Sequence, residues 1–240
     1  MAGKWEKTYG FLFKSVLVAV NPFKSAITQP ECIIHQFINW RALEILKNDN
    51  YADAFDFFSD YIVELNRGVV WADLDLKNSG HFYHPRKERG LYGNNDALSL
   101  AVEYYKKALQ YWEEGNTEES LFYLGACVHL VQDVAVPQHA NNRLLDDHRK
   151  YELFVRRIYR FTPVFWVKDG AYHVDTIEEA VRCSARVSMK VYARMKHIKR
   201  DNKRFFVMTK FLLPMAQRTT AGCFLKFYRD IGKRTRQNNG

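Results

Sequence analysis

Phe122-Tyr123-Leu124-Gly125-Ala126-Cys127-Val128-His129-Leu130-Val131-Gln132-Asp133-Val134-Ala135-Val136-Pro137-Gln138-His139-Ala140 is the stretch whose reading decides the fold. Thr117-Glu118-Glu119 opens a helix into it, and Pro137, which has no backbone N–H to donate, is expected to stop that helix at Val136. His129 and Asp133 are four residues apart, so both side chains leave one face of the predicted helix. Leu124, Gly125, Val128 and Val136 make the rest of that face apolar. An imidazole and a carboxylate buried together must pair with each other or hold a metal, because an unpaired buried charge is too costly. His139, just past the proline, can swing back over the same place.

Working outward, the chain reads as helix in both directions. Ile34, Phe37, Ile38, Ala42, Ile45 and Leu46 recur at helical spacing from Glu31 to Lys47. Phe55, Phe58, Ile62 and Leu65 repeat the pattern from Ala52 to Leu65, with Gly68 beyond its end. Asn95 is the expected cap of a helix running to about Glu114, and further helices are expected at about 147–161, 176–198, 201–213 and 215–232. The only strand signal is a small hairpin, Phe165-Trp166-Val167 against Tyr172-His173-Val174. Gly68 to Asn95 lacks helical periodicity and reads as a long loop rich in His, Asp and aromatic residues, the kind that carries function in a compact domain. The expectation is all-α: a single compact multi-helix domain at 31–240 and an N-terminal segment, 1–30, of uncertain role.

Composition narrows the classes. The 240 residues are 47% hydrophobic and 26% charged, a globular rather than disordered balance. With 12 Gly, 6 Pro and 4 Cys, collagen-like and disulfide-scaffold classes are excluded. No apolar run approaches the ~18 residues of a membrane span. Net charge is +9, unevenly placed: Arg186 to Gly240 carries 15 Lys/Arg against Asp201 and Asp230, so the first 185 residues sum to −4. Basic C-terminal helices on a mildly acidic body point to an anionic partner, nucleic acid or an anionic membrane surface; solubility charge on outer helix faces is the plainer alternative. Residues 10–20 loosely imitate a signal-peptide core, but Lys14 interrupts it and no A-x-A-like site follows.

His148 and Glu152 repeat the i, i+4 geometry nine residues after His139, and Asp73, His81 and His35 are further donors. Five of the chain's eight histidines fall in these segments. Nitrogen and oxygen donors with no obligatory thiolate suit zinc at a site that keeps an open position.

These residues resemble the zinc-dependent phospholipases C, the bacterial phosphatidylcholine-hydrolase group. The likeness runs from about Glu31 to Gly232 and includes His129-x3-Asp133-x5-His139-Ala140-x-Asn142, His148-x-Lys150-Tyr151-Glu152-x-Phe154-Val155, Gly80-His81-Phe82-Tyr83 with Pro85, and Ala216-Gln217-Arg218-x2-Ala221-Gly222. The resemblance implies an all-helical enzyme with two to three zinc ions in a cleft, secreted, acting on phospholipid at a membrane surface. It implies Asp73, His81, His129 and Asp133 around one zinc, His139, His148 and Glu152 around a second, and His35 with a bridging Asp133 at a third. Asp73 resembles the family's carboxylate that also serves as general base, with Asp75 the alternative. Paired zinc ions would activate water toward phosphorus and stabilise the attacking and leaving oxygens.

Two departures qualify the likeness. The family's third zinc is completed by an N-terminal Trp some ten to thirteen residues before the first His, and residues 22–25 contain no Trp. Cys32, one helical turn before His35, is either a substitute ligand or a plain core residue. Leu74 and Asn78 replace aromatic residues that the family uses near choline, so a choline preference does not carry over. Two other functions stay open: a single-strand nuclease of the P1/S1 type, which shares fold and ligands and would suit the basic helices, and a non-catalytic protein with structural zinc. Eight candidate ligands sit poorly with the last, because a structural site closes with four.

Overall fold

Nine α-helices and three 3₁₀ turns, with no strand, make up the described residues of the computed structural model, 32–74, 78–90, 96–142 and 147–238. The expectations for segment 1–30, for Asn95 and for Asp75 fall outside them.

Helix α1 (Ile33–Asn48) buries Ile38, Ala42, Leu43, Ile45 and Leu46. The periodic segment after it breaks at Tyr61 into α2 (Ala52–Asp60) and α3 (Ile62–Leu74). Gly68 therefore does not end a helix: α3 runs on through Asp73, so the first part of the expected long loop is helical. The reason is packing. A Cβ on Gly68 would lie 1.8 Å from the Phe122 carbonyl oxygen, and one on Gly125 would lie 2.0 Å from that of Leu65. Each glycine gives room to the other helix's backbone, a requirement invisible in a one-dimensional pattern.

Helix α4 (Ala97–Glu113) is opened by Asp96, whose carboxylate accepts from the Ser99 N–H at 2.9 Å in a capping box. Helix α5 (Thr117–Asp133) is capped by Asn116 onto the Glu119 N–H. It ends three residues earlier than expected, and Pro137 starts the single turn α6 (Pro137–Ala140) at its first position, where the missing N–H costs nothing. Helix α7 spans His148–Ile158, α8 Ile177–Met195 and α9 Asp201–Asn238. Pro214, expected to divide α9, sits inside one continuous helix. The carbonyl it leaves unbonded belongs to Lys210, an exposed residue where water can take the bond.

The expected hairpin is absent. Its backbone groups bond to helices instead of across strands: Val167 N donates to Gln217 Oε1 (2.9 Å), Gln217 Nε2 donates to Phe165 O (2.7 Å) and Tyr172 N donates to Arg218 O (3.1 Å). The main core joins α1–α5 with α8 and the second half of α9. A second apolar cluster, with Ile38, Ala135, Tyr151, Val155, Leu212 and Leu213, lies by α7 and the first half of α9 and forms one wall of a cleft.

Candidate metal centre

Seven of the eight candidate ligands are placed by helices or the short turns joining them: His35 by α1, Asp73 by α3, His129 and Asp133 by α5, His139 by α6, His148 and Glu152 by α7. His81 ends a 3₁₀ turn (Asn78–His81). They gather into three groups whose ligand atoms lie within 4.8 Å of one another: Asp73, His81 and His129; His35, His129 and Asp133; His139, His148 and Glu152. All but His129 line one cleft of about 500 Å³.

Asp133 is the hub. Its Oδ2 lies 2.7 Å from His81 Nδ1 and 3.1 Å from His129 Nε2, and its Oδ1 lies 3.4 Å from His35 Nε2. His129 Nε2 and His81 Nδ1 are 3.4 Å apart. Three imidazoles around one buried carboxylate make an arrangement that a cation would satisfy. His35 and Asp133 stand together as expected of the third site, and His129 takes part in that group as well as in the one with Asp73 and His81.

Protonation favours ligation. Burial pushes His129 down, against the attraction of Asp133, and pushes His139 down to about 4. Both are neutral near pH 7, the form that donates to metal. His81 is the exception: burial would lower it, but the hydrogen bond and charge of Asp133 raise it. Burial alone would raise Asp133, yet the surrounding histidines hold it well below the usual carboxylate range.

Supporting bonds orient the donors. His139 Nδ1 lies 3.0 Å from the His81 backbone oxygen, to which it donates, leaving Nε2 for the cleft. His148 Nε2 and Glu152 Oε1 are 2.7 Å apart without hydrogen-bond geometry between them. His129 Nδ1 is buried and has no hydrogen-bond partner among the described residues. The start of α7, and with it His148, is tied to α9 by Arg204, which donates to Asp147 (2.9 Å) and Asp201 (2.7 Å). Mixed nitrogen and oxygen donors of this kind fit zinc.

Cys32 is buried and its thiol donates to Asp73 Oδ2 at 2.9 Å. It is part of none of the three groups. Sequence reasoning overlooked Gln132, which touches His35; a buried amide between two ligand positions was the available signal. The Asp75 alternative and the side chains of Leu74 and Asn78 lie outside the described residues.

The family model for zinc-dependent phospholipase C matches residues 34–211. The chain belongs to that family. Curated relatives include a phospholipase C of Clostridium novyi, 24% identical over 83% of this chain and 59% of that protein, and one of Bacillus cereus, 27% identical over 83% of this chain and 82% of that protein. The chain thus spans about three fifths of the clostridial relatives' length. Among solved structures, the alpha toxin of Clostridium absonum superposes with a TM-score of 0.73 at 18% identity, over 85% of this chain and 65% of that one, and the Clostridium perfringens alpha toxin with 0.71 at 19%. Both share the all-helical fold of this zinc-dependent phospholipase C family member.

Proposed function

We propose that this protein is a phospholipase C, cleaving the phosphodiester between diacylglycerol and the phosphorylated headgroup of a phospholipid, with two to three zinc ions held by His35, Asp73, His81, His129, Asp133, His139, His148 and Glu152. One observation carries the lipid reading: the cleft is amphiphilic. The candidate ligands crowd one part, while Ile34, Ile38, Val136, Leu153, Leu212 and Leu213 give it an aliphatic wall. Such a cleft suits a phosphodiester joined to an apolar tail.

Zinc in these positions supplies Lewis-acid polarisation of phosphoryl oxygens and lowers the pKa of water toward ~7. Asp73 accepts the proton of the attacking water, its orientation supported by the Cys32 thiol. Asp133 holds the His81 and His129 imidazoles through Oδ2, and its Oδ1 stands beside His35 Nε2. The aliphatic wall excludes water from the acyl side.

Contact with an anionic membrane through the basic C-terminal helices belongs to the same reading. Five of the C-terminal cations bond within the molecule, Arg204 to Asp147, Arg218 to the Asp169 carbonyl, Lys226 to Asp230, Arg229 to the Val174 carbonyl and Arg234 to Glu113, while nine others between Arg186 and Lys233 are exposed. Arg149 and Arg156 also line the cleft from α7, with Arg157 exposed beside them, and Phe161 is 83% exposed in the turn that follows. Cations with a projecting aromatic ring next to the cleft suit an anionic lipid surface. Among the described residues no helix is long and apolar enough to cross a membrane.

A single-strand nuclease would want exposed aromatic platforms in the cleft. Its aromatic lining residues, Phe82 and Tyr151, are 1% and 4% exposed, which favours lipid. The test offers zinc-loaded protein phosphatidylcholine, phosphatidylinositol and single-stranded DNA in parallel. Diacylglycerol release is expected; nucleotide release without lipid cleavage would overturn the reading.

A further inference from the structure

We infer that Gln132 is a positioning residue that holds the His35 imidazole in its Nδ1–H tautomer, so that Nε2 presents a lone pair beside Asp133. The inference rests on the zinc-centre reading but concerns a residue that is itself no ligand.

Gln132 lies on the same face of α5 as His129 and Asp133, at i+3 from the first, and is 2% exposed. A buried primary amide must place both its oxygen and its NH₂ group. Its Oε1 is 2.9 Å from His35 Nδ1. Its Nε2 donates to Asn39 Oδ1 at 2.9 Å and to Thr220 Oγ1 at 3.1 Å. Asn39 in turn donates through Nδ2 to Asn66 Oδ1 at 3.0 Å. Asn39 and Thr220 are fully buried.

The direction of this chain of bonds has a chemical consequence. A carbonyl oxygen can only accept, so Oε1 facing Nδ1 requires the proton on Nδ1. The ring's other nitrogen, 3.4 Å from Asp133 Oδ1, then carries the lone pair that a metal needs. Turning Gln132 over would put its oxygen against Asn39 Oδ1, and relieving that clash requires Asn39 to turn over as well, against Asn66. The relay therefore opposes the alternative tautomer, in which His35 would spend its Nε2–H on Asp133 and could not ligate. Three elements build the relay around Gln132, with His35 and Asn39 coming from α1, Asn66 from α3 and Thr220 from α9.

Long-range proton–nitrogen correlation spectra of the imidazoles, with His35 assigned by comparison with His35→Gln, read the tautomer directly. The wild-type protein is expected to show Nδ1–H at His35 both metal-free and zinc-loaded. Gln132→Leu, which removes the acceptor, is expected to lose that preference and to weaken zinc binding at the His35 group by about 10- to 100-fold. An Nε2–H signal in metal-free wild type, or Gln132→Leu with unchanged tautomer and unchanged zinc affinity, overturns the inference. Should Gln132→Leu fail to fold, the wild-type spectrum decides alone. Equal zinc content in wild type and His35→Gln would instead refute the role of His35 in the metal centre, and absence of lipid hydrolysis would leave the tautomer result standing.

Discussion

Cys32 and Asp73 are forty-one residues apart, yet the thiol Sγ lies 2.9 Å from the carboxylate Oδ2, linking the residue that precedes α1 to the last turn of α3. That bond restrains the carboxylate assigned to accept the water proton. Cys32→Ala is expected to lower kcat for phospholipid by about 5-fold, with KM little changed, in line with about 1 kcal/mol for one hydrogen bond. Cys32→Ser, which still donates, should recover most of the loss. Equal kcat in wild type and Cys32→Ala would remove the thiol from this role.

Asp73 and Asp133 are predicted to fail differently. Asp73→Asn should keep most of the zinc and lose on the order of 10²-fold or more in hydrolysis, the range for a missing general base. Asp133→Ala removes the partner of three imidazoles and should lose zinc as well. Elemental analysis is expected to find two to three zinc per wild-type chain and fewer in Asp133→Ala. Full activity in either variant contradicts the assignment.

Arg157→Glu and Phe161→Ser test the surface beside the cleft. Each should weaken binding to vesicles containing phosphatidylserine, Arg157→Glu by about 5-fold or more for the lost cation, and leave hydrolysis of a soluble short-chain substrate unchanged. If wild type binds neutral and anionic vesicles equally, this surface has no electrostatic part in docking.

Burial pushes the Cys223 thiol up to about 12 from an ordinary value of 9.0. Above pH 9 the unfolded chain releases this proton and the folded chain keeps it, so alkali favours unfolding: the stabilisation is whole below pH 9 and is lost as pH rises toward 12. Between pH 9 and 10.5 this one group costs about 2 kcal/mol. Urea unfolding at the two pH values should show a smaller loss in Cys223→Ala than in wild type. Equal losses would mean that the thiol titrates normally in the fold.

Much of the centre is readable along the chain because its ligands come in helical i, i+4 pairs: His129 with Asp133, and His148 with Glu152. That periodicity survives in one dimension. What is not readable depends on contacts between distant segments. Gly68 looks like a helix end until the Phe122 carbonyl is placed against it. Pro137 reads as a stop and is in fact a start, because Val134–Val136 already turn the chain. Pro214 looks like a break, and the exposed side of α9 absorbs it. The residues 165–174 have strand-like composition, but α1 and α9 offer their backbone better partners than each other. Gln132 looks like one polar residue in an apolar run, and only His35, Asn39 and Thr220 around it show what it does.

The paired glycines of α3 and α5 have a bearing on the metal centre itself. Asp73 stands five residues beyond Gly68, and His129 four beyond Gly125, so the two ligands sit about 6–8 Å along their helices from the point of backbone contact. That point acts as a fulcrum. Any side chain inserted there would meet backbone at about 2 Å and force the helices apart, carrying Asp73 and His129 with them. The spacing of the metal centre is thus gauged by two missing side chains, five residues before Asp73 and four before His129.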